Sequence, residues 1–238
     1  MSFRVRFREG LGFRVVSRLV RFLAFGCGLL AATTAGAMTF DLVPFGDSAK
    51  CGDRCPLVIS ATGDIGNETP RQFLDFVVRA VANPRVRSVV FIHSPGGGVE
   101  ASMKLGAMFR KTGILAVVAR VAPSPPGLGP ALSVPGARCF SACVYALMGA
   151  KKRVVPPDAL VGIHRMHFDS YGRDSSTGDS AATRVFGTRD FVATLAKYAS
   201  SMGVSSDLIY SAEQIAPERI HIVTPGELRK WRLGSQKF

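Results

Sequence analysis

Hydrophobic positions in this chain follow two patterns, short unbroken runs and longer stretches with helical spacing. Pro-Leu-Val-Ile-Ser at 56–60 is a short run and predicts a strand. Ala61 to Asp64 turns the chain. Thr69-Pro70-Arg71-Gln72 then opens a helix, with Thr69 as its cap, Pro70 at the first helical position and Gln72 closing a capping box. Phe73, Leu74, Val77, Val78 and Val81 recur at helical spacing until Asn83-Pro84 ends the helix. Ser88 to His93 is a continuous apolar strand, of the kind buried on both faces. Ser94-Pro95-Gly96-Gly97-Gly98 follows at once, then a helix over Val99 to Lys111, a stop at Gly113 and another buried strand over Ile114 to Ala119. Strand, glycine loop, helix, strand is a βαβ unit, so the expected class is α/β with a mainly parallel sheet.

Elsewhere the pattern is less regular. Residues 38–55 are mixed and read as an irregular lead-in. Ala122 to Ala137 carries Pro123, Pro125, Pro126, Pro130 and Pro135, which excludes a regular helix and reads as a surface insertion. A tight turn at Arg138 to Ser141 leads into a helix to about Ala150, and Arg153–Val155 and Leu160–Ile163 read as short strands. Asp169 to Ser180, rich in Gly, Ser and Asp, reads as a mobile loop, and Ala181 to Met202 as one long helix. A short helix near Ser206, a strand over Ile220 to Val223 and a helix from Pro225 to Trp231 complete the chain. With no internal repeat and no second core, residues 56–238 read as one domain.

The first 37 residues have another character. Six arginines (Arg4, Arg6, Arg8, Arg14, Arg18, Arg21) precede an apolar run from Phe22 to about Ala32, and small residues end in Ala35-Gly36-Ala37. That is the order of a secretory signal peptide, with a retained membrane anchor as the alternative. The segment holds six of the 30 Lys and Arg and one of the 17 Asp and Glu, so the formal +13 falls to +8 without it. The remaining excess is scattered, as at Arg85/Arg87, Lys151-Lys152-Arg153 and Arg229-Lys230-Arg232, which describes a solvated surface or one near anionic lipid. No basic stripe interleaved with aromatic residues argues for nucleic acid. Beyond the segment stand Cys51, Cys55, Cys139 and Cys143, an even count that permits disulfides in three pairings. Zinc is the weaker reading, because no His or acid sits beside them at ligand spacing.

Candidate chemistry gathers at three places. Ser141 stands where a helix begins, with its hydroxyl exposed and the N–H of Ala142 free of an intrahelical partner. His164 closes the apolar run Leu160-Val161-Gly162-Ile163, and a histidine at a strand end projects into the mouth of a site. The Gly96-Gly97-Gly98 loop offers backbone N–H groups beside a helix start. Together these are a nucleophile, a base and oxyanion donors. Taken singly, the serine is a helix cap, the histidine a structural residue and the loop a tight turn. Their order and spacing set them apart. His164-x-x-His167 offers two metal ligands without a third, so no metal and no cofactor is expected.

In that order the motifs resemble a family. Phe91-Ile92-His93-Ser94-Pro95-Gly96-Gly97 is similar to the strand and Ser-Pro-Gly-Gly loop of the Clp protease proteolytic subunit. Cys139-Phe140-Ser141-Ala142-Cys143, followed by Gly149-Ala150-Lys151-Lys152-Arg153, resembles its nucleophile helix and the turn after it. Val161-Gly162-Ile163-His164 resembles its Ile-His segment, and Thr224-Pro225-Gly226-Glu227-Leu228 a late helix start. The resemblance runs over about residues 56–235 and points to exported, ClpP-like proteins of the Clp protease/crotonase superfamily.

It implies a spiral of ββα units, a homo-oligomer, Ser141 as nucleophile, His164 as general base, and Gly96, Gly97 and Ala142 as the oxyanion hole. The family's acid falls near Ala216, which cannot orient a histidine, so Glu218 and Glu213 are the candidates beside it. Exported relatives use a Ser–Lys dyad, for which Lys197 is the candidate, though it reads more naturally as a solvated helix residue. The expected activity is an ATP-independent serine peptidase acting on peptides or unfolded segments outside the cytoplasm, in the periplasm or at a membrane surface. The alternatives are a crotonase-like thioester hydrolase and a peptide- or partner-binding shell with a decayed site. The Pro-rich insertion reads as a lid, a groove wall or a tolerated surface loop, and Cys139 and Cys143 either bridge across the serine turn, pair with Cys51 and Cys55, or are small buried hydrophobes.

Overall fold

A computed structural model describes residues 36–46, 48–122, 131–173 and 180–237. The expected signal segment or anchor lies almost wholly outside them, as do Pro123 to Pro130 and the middle of the Asp169–Ser180 loop. In chain order the elements begin with β1 (Thr39–Pro44), α1 (Ser48–Cys51), β2 (Leu57–Thr62), α2 (Thr69–Ala80), β3 (Val86–His93), α3 (Val99–Lys111) and β4 (Leu115–Val118). Next come β5 (Arg120–Ala122), β6 (Ala131–Ser133), β7 (Arg138–Phe140), α4 (Cys143–Gly149), β8 (Lys152–Val154) and β9 (Leu160–Ile163). The chain closes with β10 (His167–Arg173), β11 (Ser180–Phe186), α5 (Arg189–Ser201), α6 (Asp207–Ala212), β12 (His221–Ile222) and α7 (Pro225–Lys230).

The main sheet has the order β1-β2-β3-β4-β8, parallel from β2 to β8. The expected mainly parallel α/β architecture is therefore present. Successive residues of the central strands face opposite sides, and both sides are buried. Ile59, Val90, Ile92, Ala116 and Val118 face the larger core with Phe73, Leu105 and Phe109, while Val58, Phe91, Val117 and Val154 form a smaller cluster. This is why these strands read as unbroken apolar runs. A second sheet, β12-β9-β7, hooks onto the end of β3 through a Ser94–Cys139 bridge, bringing the glycine loop to the start of α4.

Several expected elements differ. The irregular lead-in contains β1, which pairs antiparallel with β2 from Thr39↔Thr62 to Pro44↔Leu57. Its alternating exposure is that of an edge strand, whose outward polar positions hid it in the sequence. The single long helix over Ala181–Met202 is a strand, β11, and a shorter helix, α5. Thr188 caps α5 through the Phe191 N–H, and β11 pairs antiparallel with β10 across much of the expected loop. Thr69 does not cap α2 with its side chain; its Oγ1 accepts from Gly66 N–H at 2.9 Å. Thr224 and Glu227 form the capping box of α7.

Arg153, grouped by sequence with the solvated lysines before it, turns inward. It donates to the carbonyls of Leu233 at 2.8 Å, Met148 and Ala150 at 3.0 Å, Met202 at 3.2 Å and Arg232 at 3.0 Å. These are orphan acceptors around the ends of α4, α5 and α7. Burial, and then the neighbouring Arg110, lower its pKa from the ordinary guanidinium value. Arg110 also donates to Met202 O at 2.8 Å and Met148 O at 3.5 Å, so Arg153→Met takes its donor from the Leu233, Ala150 and Arg232 carbonyls above all and is expected to cost about 3 kcal/mol, read as a lower urea midpoint; an unchanged midpoint refutes this role.

Candidate active site

Ser141 occupies a sharp strand-to-helix turn between β7 and α4. Its φ is +55°, in the left-handed region that residues with a Cβ rarely adopt. Such strain is held in place by its surroundings. The Ser141 N–H donates to Gly162 O at 2.8 Å, and a Cys139–Cys143 disulfide closes the turn from one side to the other. Both cysteines are fully buried. Cys51 pairs with Cys55, so each C-x3-C is its own bridge.

The glycine loop packs directly on this turn. Gly96 has φ +124°, and a Cβ there would lie 2.9 Å from Phe140 O and from Ser141 Cβ, and 3.2 Å from Ala142 N. Only glycine permits that approach. The Gly96 N–H donates to Ser94 Oγ at 3.1 Å. The N–H groups of Gly97 and Ala142 have no acceptor among the described residues. Of the three proposed oxyanion donors, these two are therefore unpaired and one is engaged.

His164 is 7% exposed and lines the same small cavity as Ser141, about 10 Å³ in volume, no more than the space of one water. Val144, Met148, Ile163, Met166, Leu208 and Ala212 make its walls apolar. No hydrogen bond joins Ser141 to His164; catalytic hydrogen bonds often tighten only around substrate. The His164 Nδ1 lies 2.8 Å from Arg165 O. A carbonyl only accepts, so Nδ1 carries the proton and Nε2 keeps its lone pair. Burial lowers the His164 pKa from the ordinary imidazole value; the Arg165 carbonyl opposes this, His167 and Arg184 add to it, and Glu218 opposes it.

Neither candidate acid bonds to the His164 ring. Glu213 pairs with Arg165, Nε to Oε2 at 3.3 Å, and Glu218 pairs with Arg184. Ala216 lies in a turn, accepting from Arg219 N–H. Lys197 is exposed on α5. The His164 and His167 ring centroids are 6.0 Å apart. Sequence reasoning missed Arg165, Ser94, Leu208 and Ala212. Ser94 was legible inside its motif, whereas the last two come from a distant helix and carry no local signal.

No protein-family model matches the sequence, and no curated protein matches it. Among solved structures the chain is similar to a serine-to-alanine mutant of the 1510-N membrane-bound stomatin-specific protease, at 17% identity and TM-score 0.47, over 74% of this chain and 76% of that one. It is similar to ClpP1 from Listeria monocytogenes at 15% identity and TM-score 0.43, over 72% and 84% of the two chains. The chemistry of the site rests on its own geometry.

Proposed function

We propose that the protein is an ATP-independent serine hydrolase, a peptidase that cleaves peptides or unfolded protein segments through an acyl-enzyme on Ser141. The observation that carries this reading is the strained backbone of Ser141, held at φ +55° beside a buried histidine whose Nε2 is free to accept a proton. The Ser141 hydroxyl attacks the scissile carbonyl carbon while His164 Nε2 takes its proton. Negative charge on the carbonyl oxygen is received by the N–H groups of Ala142 and Gly97. The imidazolium returns the proton to the leaving amine, and water hydrolyses the acyl-serine by the same route.

Two internal disulfides are chemistry of an oxidising compartment and support an exported location. Action outside the cytoplasm, as a homo-oligomer, belongs to the same reading. The test is to treat the purified protein with a fluorophosphonate and map the adduct by mass spectrometry, with peptide hydrolysis assayed without ATP. An adduct on Ser141 is expected; no adduct, or one elsewhere, overturns the reading and leaves a peptide-binding shell.

The pH dependence follows from His164. Protonated imidazole cannot act as base, and burial disfavours that form. Labelling should therefore rise with pH through a midpoint below the ordinary imidazole value of 6.5, staying active further into acid than an exposed histidine allows. A midpoint above that value contradicts the buried environment.

A further inference from the structure

The sequence leaves the third member of the site without a residue, because Ala216 stands where the resemblance places an acid. We propose that Arg165 fills the position: its main-chain carbonyl holds His164 Nδ1, and its side chain anchors that carbonyl, so the base is oriented with no carboxylate of the described residues in contact. The proposal rests on the reading of Ser141 as nucleophile and His164 as base.

The contact itself is the 2.8 Å approach of His164 Nδ1 to Arg165 O. Three further contacts hold Arg165 in place. Its own N–H donates to Ile215 O at 2.9 Å. Its guanidinium forms the 3.3 Å ion pair with Glu213, at an angle that is not that of a hydrogen bond. The same group lies over the Phe186 ring, 4.2 Å from the centroid. Glu213 and Ile215 follow α6, while Phe186 ends β11, so two separate parts of the fold grip one residue. A carbonyl between a fixed N–H and a fixed side chain has little freedom to swing.

An acceptor at Nδ1 does two things in such a site: it fixes which nitrogen carries the proton, and it stabilises the imidazolium that forms. A neutral carbonyl does the first fully and the second weakly. The arrangement therefore keeps the productive tautomer and gives up part of the rate. Glu213, nominated by sequence as an acid, acts one step removed, through Arg165. Arg165 is a positioning residue.

The test is the rate at which a fluorophosphonate modifies Ser141, resolved into maximal rate and half-saturating concentration. Arg165→Met and Glu213→Gln should each lower the maximal rate about tenfold and leave the half-saturating concentration unchanged. The double variant should lose no more than either single one, because both act through one anchor. Arg165→Lys, which keeps a cation for Glu213, should recover most of the rate. Glu218→Gln removes an exposed ion pair and the smallest of the charges acting on His164, and should change the rate by less than about threefold. A loss of about a hundredfold in Glu218→Gln, with Arg165→Met near wild type, overturns the proposal and gives the position to a carboxylate. Nitrogen NMR of the neutral His164 ring reads the tautomer independently of activity: a proton on Nδ1 is expected, and a proton on Nε2 overturns the proposal whatever the rates. If the fluorophosphonate labels nothing, the nucleophile reading fails, and the ring tautomer still decides what Arg165 does.

Discussion

Ser141→Gly is expected to lose all fluorophosphonate labelling and yet be more stable than the wild type by about 1 kcal/mol. Ser141→Ala should lose labelling equally and gain no such stability. The two variants lack the same hydroxyl and differ in whether a Cβ is present. At φ +55° a Cβ crowds its own carbonyl, and glycine has none. The comparison therefore separates the chemistry of the side chain from the strain of the backbone. Urea unfolding of the three proteins reads the difference. A glycine variant no more stable than the alanine variant would show that the turn is relaxed, and would remove the strongest geometric argument for a nucleophile. The expected pattern is a site that holds a reactive group at some cost to stability.

The largest structural effect is expected at Gly149. There a Cβ would lie 2.0 Å from Gly106 O, 2.2 Å from Gly106 C and 2.3 Å from Gly106 Cα. All three are backbone atoms of α3, so no rotamer change relieves the clash. Gly149→Ala must push α3 and α4 apart, at about 3 kcal/mol or more. The consequence reaches the site because the glycine loop leads into α3 and Ser141 leads into α4. Widening the crossing displaces Ala142 N–H from the loop that packs against it. The maximal labelling rate should then fall at least about tenfold, with the urea midpoint well below wild type. A variant within about 1 kcal/mol of wild type would mean that the helices are not locked at this crossing.

The central strands were legible because each is buried on both faces, so the middle of each run is apolar at successive positions. The glycine loop and the serine turn were legible because their chemistry is local: a positive φ and a close approach demand particular residues at particular positions. β1 was hidden by its exposed edge. β11 was hidden because Ala181-Ala182 favours helix locally, whereas pairing with β10 fixes its extended form. Propensity is a weak prior that a partner strand overrides. Arg153 looked like surface charge because nothing near it in sequence shows that three helix ends converge there.

For the site itself, the sequence determined the types and order of the groups: a glycine loop, a serine at a turn, a histidine closing a strand. It also determined that no acid stands at Ala216. Only the tertiary structure decided which groups meet. It closed each C-x3-C on itself, left Gly97 and Ala142 N–H without an acceptor among the described residues while engaging Gly96, and set Glu213 against Arg165 instead of His164. The physical reason is range. Backbone conformation and burial pattern are written in neighbouring residues. Hydrogen-bond partners, and hence the proton on His164, depend on groups that come together only when distant segments pack.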